Sequence, residues 1–162
     1  MIASFPTGET AGALMDGARS ALAGSPREAL GAWAPNRRIL GIRRSPRIVL
    51  AGEAWHLGVL LIAPDAVYAT GEVLRAREDA IRGFTASSQR ERAERAAAAF
   101  RGGFAEGQTV HVGWSPIDLA AVDAGAASGP LSVAQRVVQV RWSAAGAVRP
   151  LEDYLAEQLT LR

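Results

Sequence analysis

The chain has 162 residues, 49% of them apolar and 21% charged, with a formal net charge of +2 and no cysteine. This length suits one globular domain with a sizeable core, and the composition excludes a disordered chain. The missing thiol excludes disulfides, thiolate metal sites and cysteine nucleophiles.

The pI of 9.9 does not by itself mark a nucleic-acid binder. All 18 cations are arginine and none is lysine, and arginine titrates so high that a small surplus lifts the pI. No apolar run reaches the roughly 18 residues of a membrane span. The opening "MIASFPTGETAGALMDG" lacks the basic start and continuous apolar stretch of a secretory signal. A cytoplasmic protein with no membrane partner is therefore expected. No cofactor motif is present and no cofactor is expected.

Along the chain, "TGETAGALMDGARSALAG" predicts a helix facing inward through Leu14, Ala18, Ala21 and Leu22. "SPREALGAWA" predicts a second, short helix: Ser25 as N-cap, Pro26 at the first helical position and Glu28 closing a capping box. "PNRR" breaks the pattern, and from Arg38 the period becomes strand-like in "RRILGIRR", "PRIVLAG", "AWHLGVLLI" and "AVYATGEVLR". "APDA" suits a type I turn with Pro64 at its second position. A two-residue loop at Pro64 and Asp65 would set Gly58 opposite Gly71 and His56 opposite Val73.

Residues 88–101 predict the clearest helix. Ser88 and Glu91 form a capping box, and Ala93, Ala96, Ala97 and Phe100 an apolar stripe. Glu91 with Arg95 is a favourable pair, and Gly102 and Gly103 end the helix. "QTVHVGW" is a strand and "AAVDAGAASGP" a small-residue loop. "RVVQVRW" is a strand with Val138, Val140 and Trp142 on one face. "PLEDYLAEQLTL" is a final helix with Leu151, Tyr154, Leu155 and Leu159 inward.

The fold expected is a single α+β domain over residues 1–162, with a mostly antiparallel sheet of five to seven strands, curled or closed into a small barrel and flanked by helices. Within it, residues 1–34 are a helical segment, 38–75 β hairpins, 88–101 a helix, 108–142 strands and 150–160 the C-terminal helix.

The two histidines carry the first candidate site. "HLG" and "HVG" each set an imidazole two residues before a glycine, with Trp55 or Trp114 close by. A glycine two positions along a strand shares the histidine's face and leaves a gap beside the ring. His56 and His111 are thus candidates to line a pocket with Trp55, Tyr68 and Trp114. Glu72 and Asp118, with Glu53 beside them, are candidate carboxylate partners for acid–base work. The bland alternative, a core histidine satisfied locally, is the commoner outcome. A two-histidine, one-carboxylate metal set is conceivable from the same residues. No HxH or HExxH spacing supports it, so no metal site is assigned.

The second candidate is Arg37, Arg38, Arg43, Arg44 and Arg47, a basic stripe for phosphates with Trp33 or Trp55 as a stacking surface. Its bland alternative is a pair of charged strand edges. Ser115 lies in no SxxK or GxSxG motif, and Asp118 reads first as a turn cap.

The run "RRILGIRRSPRIVLAGEAWHLGVLL", with "YATGEVLRA" and "VHVGWSPIDL", resembles a family of short uncharacterised actinobacterial proteins, from about Trp33 to Leu159. Some of these carry the label glutaminase. Serine-dependent glutaminases use a serine–lysine pair and amidotransferase glutaminases a cysteine. This chain has neither lysine nor cysteine, so no catalytic residue is carried across. Three functions follow in order. The first is a binding module for a small molecule or a protein, compatible with a homo-oligomer. The second is an amide hydrolase using a histidine–carboxylate or metal site. The third is a nucleic-acid-binding module.

Overall fold

The computed structural model describes residues 8–36, 38–79, 83 and 86–162. It is α+β. No helix of the described residues is long and apolar enough to cross a membrane. By contacts the chain groups into two compact units. One holds the residues up to Pro26, Trp55–Thr70 and Ser115–Arg162; the other holds Arg27–Ala54 and Gly71–Trp114.

In the first unit, helix α1 (Ala11–Leu22) buries Ala11, Met15, Ala18 and Leu22, a seam at helical spacing. Leu14 is half-buried and Ala21 is exposed, so the inward face is turned from the one expected. Met15, in place of Ala21, is buried on that face. The helix start is closed twice: Thr10 Oγ1 accepts from Ala13 N–H (3.1 Å), and the Asp123 carboxylate accepts from Ala11 N–H (2.6 Å) and Gly12 N–H (3.2 Å).

Strand β5 (Leu60–Ile62) pairs with β6 (Val67–Ala69) across the Pro64–Asp65 turn, in the register expected: Ile62 opposite Val67, Leu61 opposite Tyr68, Leu60 opposite Ala69. The register does not continue outward. Strand β4 (Ile48–Leu57) turns back at Gly58 and Val59, so His56 faces Leu61 and not Val73. Gly58 has φ +58°, and a Cβ there would come within 1.8 Å of the Tyr154 hydroxyl. That hydroxyl accepts from Val59 N–H (2.9 Å). The glycine of "HLG" is therefore a hairpin turn seated against a helix.

Strand β9 (Ser115–Pro116) adds to β6. Helix α3 (Leu119–Asp123), capped by Asp118 through Ala121 N–H (3.0 Å), occupies part of the expected small-residue loop. A single cap and the buried Val122 are enough to hold this one turn. Strands β10 (Leu131–Ala134), β11 (Val137–Arg141) and β12 (Val148–Pro150) form a three-stranded sheet. Val138 and Val140 face the core as expected; Trp142 lies beyond the strand end and is exposed. Helix α4 (Leu151–Thr160) buries Leu151, Tyr154 and Leu155, with Leu159 half-buried.

In the second unit, "SPREALGAWA" is not a helix. Its residues form strand β1 (Glu28–Trp33). Two neighbours impose this: β4 antiparallel on one side and β8 (Thr109–Val112) parallel on the other. Pairing on both edges outweighs the weak local helix signals of a six-residue segment. Strand β7 (Glu72–Arg75) completes the order β7-β8-β1-β4.

Helix α2 (Ser87–Arg101) buries Ala96, Ala97, Ala98 and Ala99, with Ala93 and Phe100 half-buried. Ala98 and Ala99 share a core with Ala29, Ile48, Leu74, Val110 and Val112 of the sheet. The expected capping box is absent: Ala86 is the N-cap and no side chain caps the helix. The expected Glu91–Arg95 pair is replaced by Arg95 with Glu72, a two-point contact at 2.7 and 3.2 Å, because the planar guanidinium matches a carboxylate on the sheet. A small hairpin of β2 (Arg38–Ile39) and β3 (Ile42–Arg43) lies between β1 and β4 in sequence.

Candidate functional site

The end of β1 builds one wall of a cleft. Trp33 is its last residue, and Pro35 follows to stop the ladder. One further backbone bond, Ala34 N–H to Arg47 O (2.9 Å), ties the exit of β1 to the entry of β4. The Trp33 side chain cannot enter the core there, and the residue stays 55% exposed.

It walls a cleft of about 500 Å³ whose lining includes Asn36, Arg44, Ser45 and Arg47. On the described residues the lining holds two guanidiniums and no carboxylate. Among the described residues neither Arg44 nor Arg47 forms an ion pair. The wall is fixed from behind. The Arg101 guanidinium donates twice to Pro46 O, at 3.2 and 2.9 Å. One residue on, Gly102 lies so close to Ile48 that a Cβ would stand 1.6 Å from the Ile48 carbonyl oxygen. The C-terminal end of α2 is thereby seated on the start of β4, next to Arg47.

Trp33 also walls a second, smaller cleft of about 250 Å³ with Gly31, Val112, Gly113 and Trp114. The Trp114 indole is held by its N–H donating to Gly31 O (3.0 Å). No charged residue lines this slot among the described residues.

The two histidines are assigned to different units. His56 is in the first, with its Nε2–H donating to Gly58 O (2.8 Å) and its own carbonyl accepting from Arg162 (3.2 Å). His111 is in the second, wholly buried on β8, and its Nε2 contacts the Glu28 carboxylate of β1. The parallel pairing Leu30 opposite His111 puts both ends of this contact on one sheet face. Glu28 is the carboxylate that sequence reasoning missed, because it was assigned to a helix cap.

The other candidates have settled partners. Glu72 is held by Arg95, Glu53 lies 3.9 Å from Arg27, and Asp118 caps α3. Trp55 is buried in the core of the first unit with its N–H on Ser25 O (3.0 Å), so it offers no stacking face. Tyr68 is half-buried on β6. Of the arginine stripe, Arg44 and Arg47 line the Trp33 cleft and Arg43 is exposed on β3 opposite Arg38. Arg37 lies outside the described residues.

Comparison with protein families, with curated proteins and with solved structures finds no match to this chain.

Proposed function

We propose that the protein is a binding module for an anionic small molecule, held in the Trp33 cleft. The observation that carries this reading is the convergence of an exposed indole with Arg44 and Arg47, in a cleft with no carboxylate among its described residues. Two guanidiniums lining one cleft without an acid favour an anion and disfavour a cation. The volume lies within the usual range of small-molecule sites. Arg101 and Gly102 support the reading, since a wall braced from behind loses little freedom on binding.

The test is calorimetric titration with inorganic pyrophosphate at two salt concentrations. The Arg44→Glu/Arg47→Glu double variant is expected to weaken binding at least about tenfold, which is roughly 1.4 kcal/mol. Affinity unchanged in that variant would contradict the reading.

A glutaminase-like hydrolase is the second reading. The contact of His111 with Glu28 favours it, since an imidazole backed by a carboxylate is a general base. It ranks lower because the imidazole is 0% exposed, and a base has to reach its substrate.

A further inference from the structure

We propose that the anion is a phosphate carried on a planar ring, of the nucleoside monophosphate class. The ring enters the slot between Trp33 and Trp114, and the phosphate lies on Arg44 and Arg47. This rests on the reading above and adds the second cleft to it. The two clefts share Trp33 as a wall, and the consecutive residues Arg47 and Ile48, at the entry of β4, line one cleft each. The chemistry changes across that wall. On one side are guanidiniums, an amide and a hydroxyl; on the other are two indoles with Gly31 and Gly113, and no charge among the described residues.

A ligand that satisfies both sides is flat and apolar at one end and anionic at the other. Indole faces stack on nucleobases whatever the base, because every base presents a π face. Guanidiniums match a phosphate by two parallel N–H donors. The site fits one nucleotide better than a strand. A single-stranded nucleic acid needs a groove of cations along the backbone and repeated stacking platforms. Among the described residues two guanidiniums line the one cleft and one slot adjoins it, on a chain whose net charge is only +2.

The test is calorimetry on the full chain with AMP, adenosine, inorganic phosphate and a single-stranded RNA oligonucleotide. AMP is expected to bind about tenfold or more tighter than either adenosine or inorganic phosphate. Trp33→Ala is expected to weaken AMP by about ten- to a hundredfold, with Trp33→Phe restoring much of the loss. Arg44→Ala/Arg47→Ala is expected to reduce AMP to the affinity of adenosine. Thermal melts of each variant check that it remains folded.

Inorganic phosphate binding as tightly as AMP overturns the ring assignment and leaves the anion site standing. Absence of binding by both AMP and phosphate overturns the two together. RNA binding about tenfold or more tighter than AMP overturns the mononucleotide in favour of a strand.

Discussion

Replacing Gly102 by alanine is expected to lower the stability of the second unit by about 2–3 kcal/mol, a large effect for one added methyl. Gly102 has φ −78°, so alanine meets no backbone penalty there. The effect comes from contact alone. The new Cβ would stand 1.6 Å from the Ile48 carbonyl oxygen and 2.5 Å from its carbon. Backbone cannot swing aside as a flexible side chain can, so either α2 lifts from β4 or β4 bends. Both displace Arg47, and with it the wall of the Trp33 cleft. Urea unfolding and pyrophosphate titration on Gly102→Ala are therefore expected to fall together. Arg101→Ala is the milder companion: it removes two donors from Pro46 O without adding bulk. It is expected to cost about 1 kcal/mol while weakening the ligand, since it acts through the position of the 44–47 segment. A Gly102→Ala protein as stable as the parent would mean that α2 does not bear on Ile48 as described.

The second large effect concerns His111. His111→Ala is expected to cost about 2–4 kcal/mol in urea unfolding, because a wholly buried side chain leaves a cavity and strips a hydrogen bond from Glu28. Glu28→Ala is expected to cost less, about 1 kcal/mol, since its carboxylate is partly in water. The double variant should cost less than the sum, as expected of two residues in contact. AMP affinity should stay within about twofold of the parent in all three, because neither residue lines the Trp33 cleft. This separates the two functional readings. A His111→Ala protein that keeps its stability but loses an amidase activity would return His111 to the chemistry.

What the sequence made legible follows from how local each signal is. The inward face of α4 is a helical periodicity within one segment and is present, whereas α1 keeps Ala18 and Leu22 inward but turns Ala21 outward. The register of β5 with β6 is set by the two residues between them, so "APDA" was sufficient. Asp118 as a cap is equally local. Strand β1 was not legible. Ser25, Pro26 and Glu28 are local helix signals, and what overrides them is a parallel pairing with β8 some eighty residues away. No local pattern in either segment encodes that pairing. With Glu28 placed in a helix cap, its contact with His111 was out of reach, and Glu72 and Asp118 were offered in its place.

Gly58 shows a related limit. The spacing of "HLG" suggested a gap on a flat strand, whereas the turn it makes depends on Tyr154, nearly a hundred residues on. The Trp33 cleft was half legible. Its arginines group by their closeness in sequence, with Trp33 or Trp55 as the stacking surface, but their closure into one site needs the bond from Ala34 to Arg47.

The most direct test of the central claim is the indole N–H region of the nitrogen-15 NMR spectrum during titration with AMP. The chain has four tryptophans, so four signals are expected, assigned by single Trp→Phe substitutions. Trp33 and Trp114 line the slot, while Trp55 and Trp142 belong to the first unit. The account predicts that saturating AMP moves the Trp33 and Trp114 signals and leaves those of Trp55 and Trp142 in place. Trp33 and Trp114 signals that stay fixed, whatever the other two do, would contradict it.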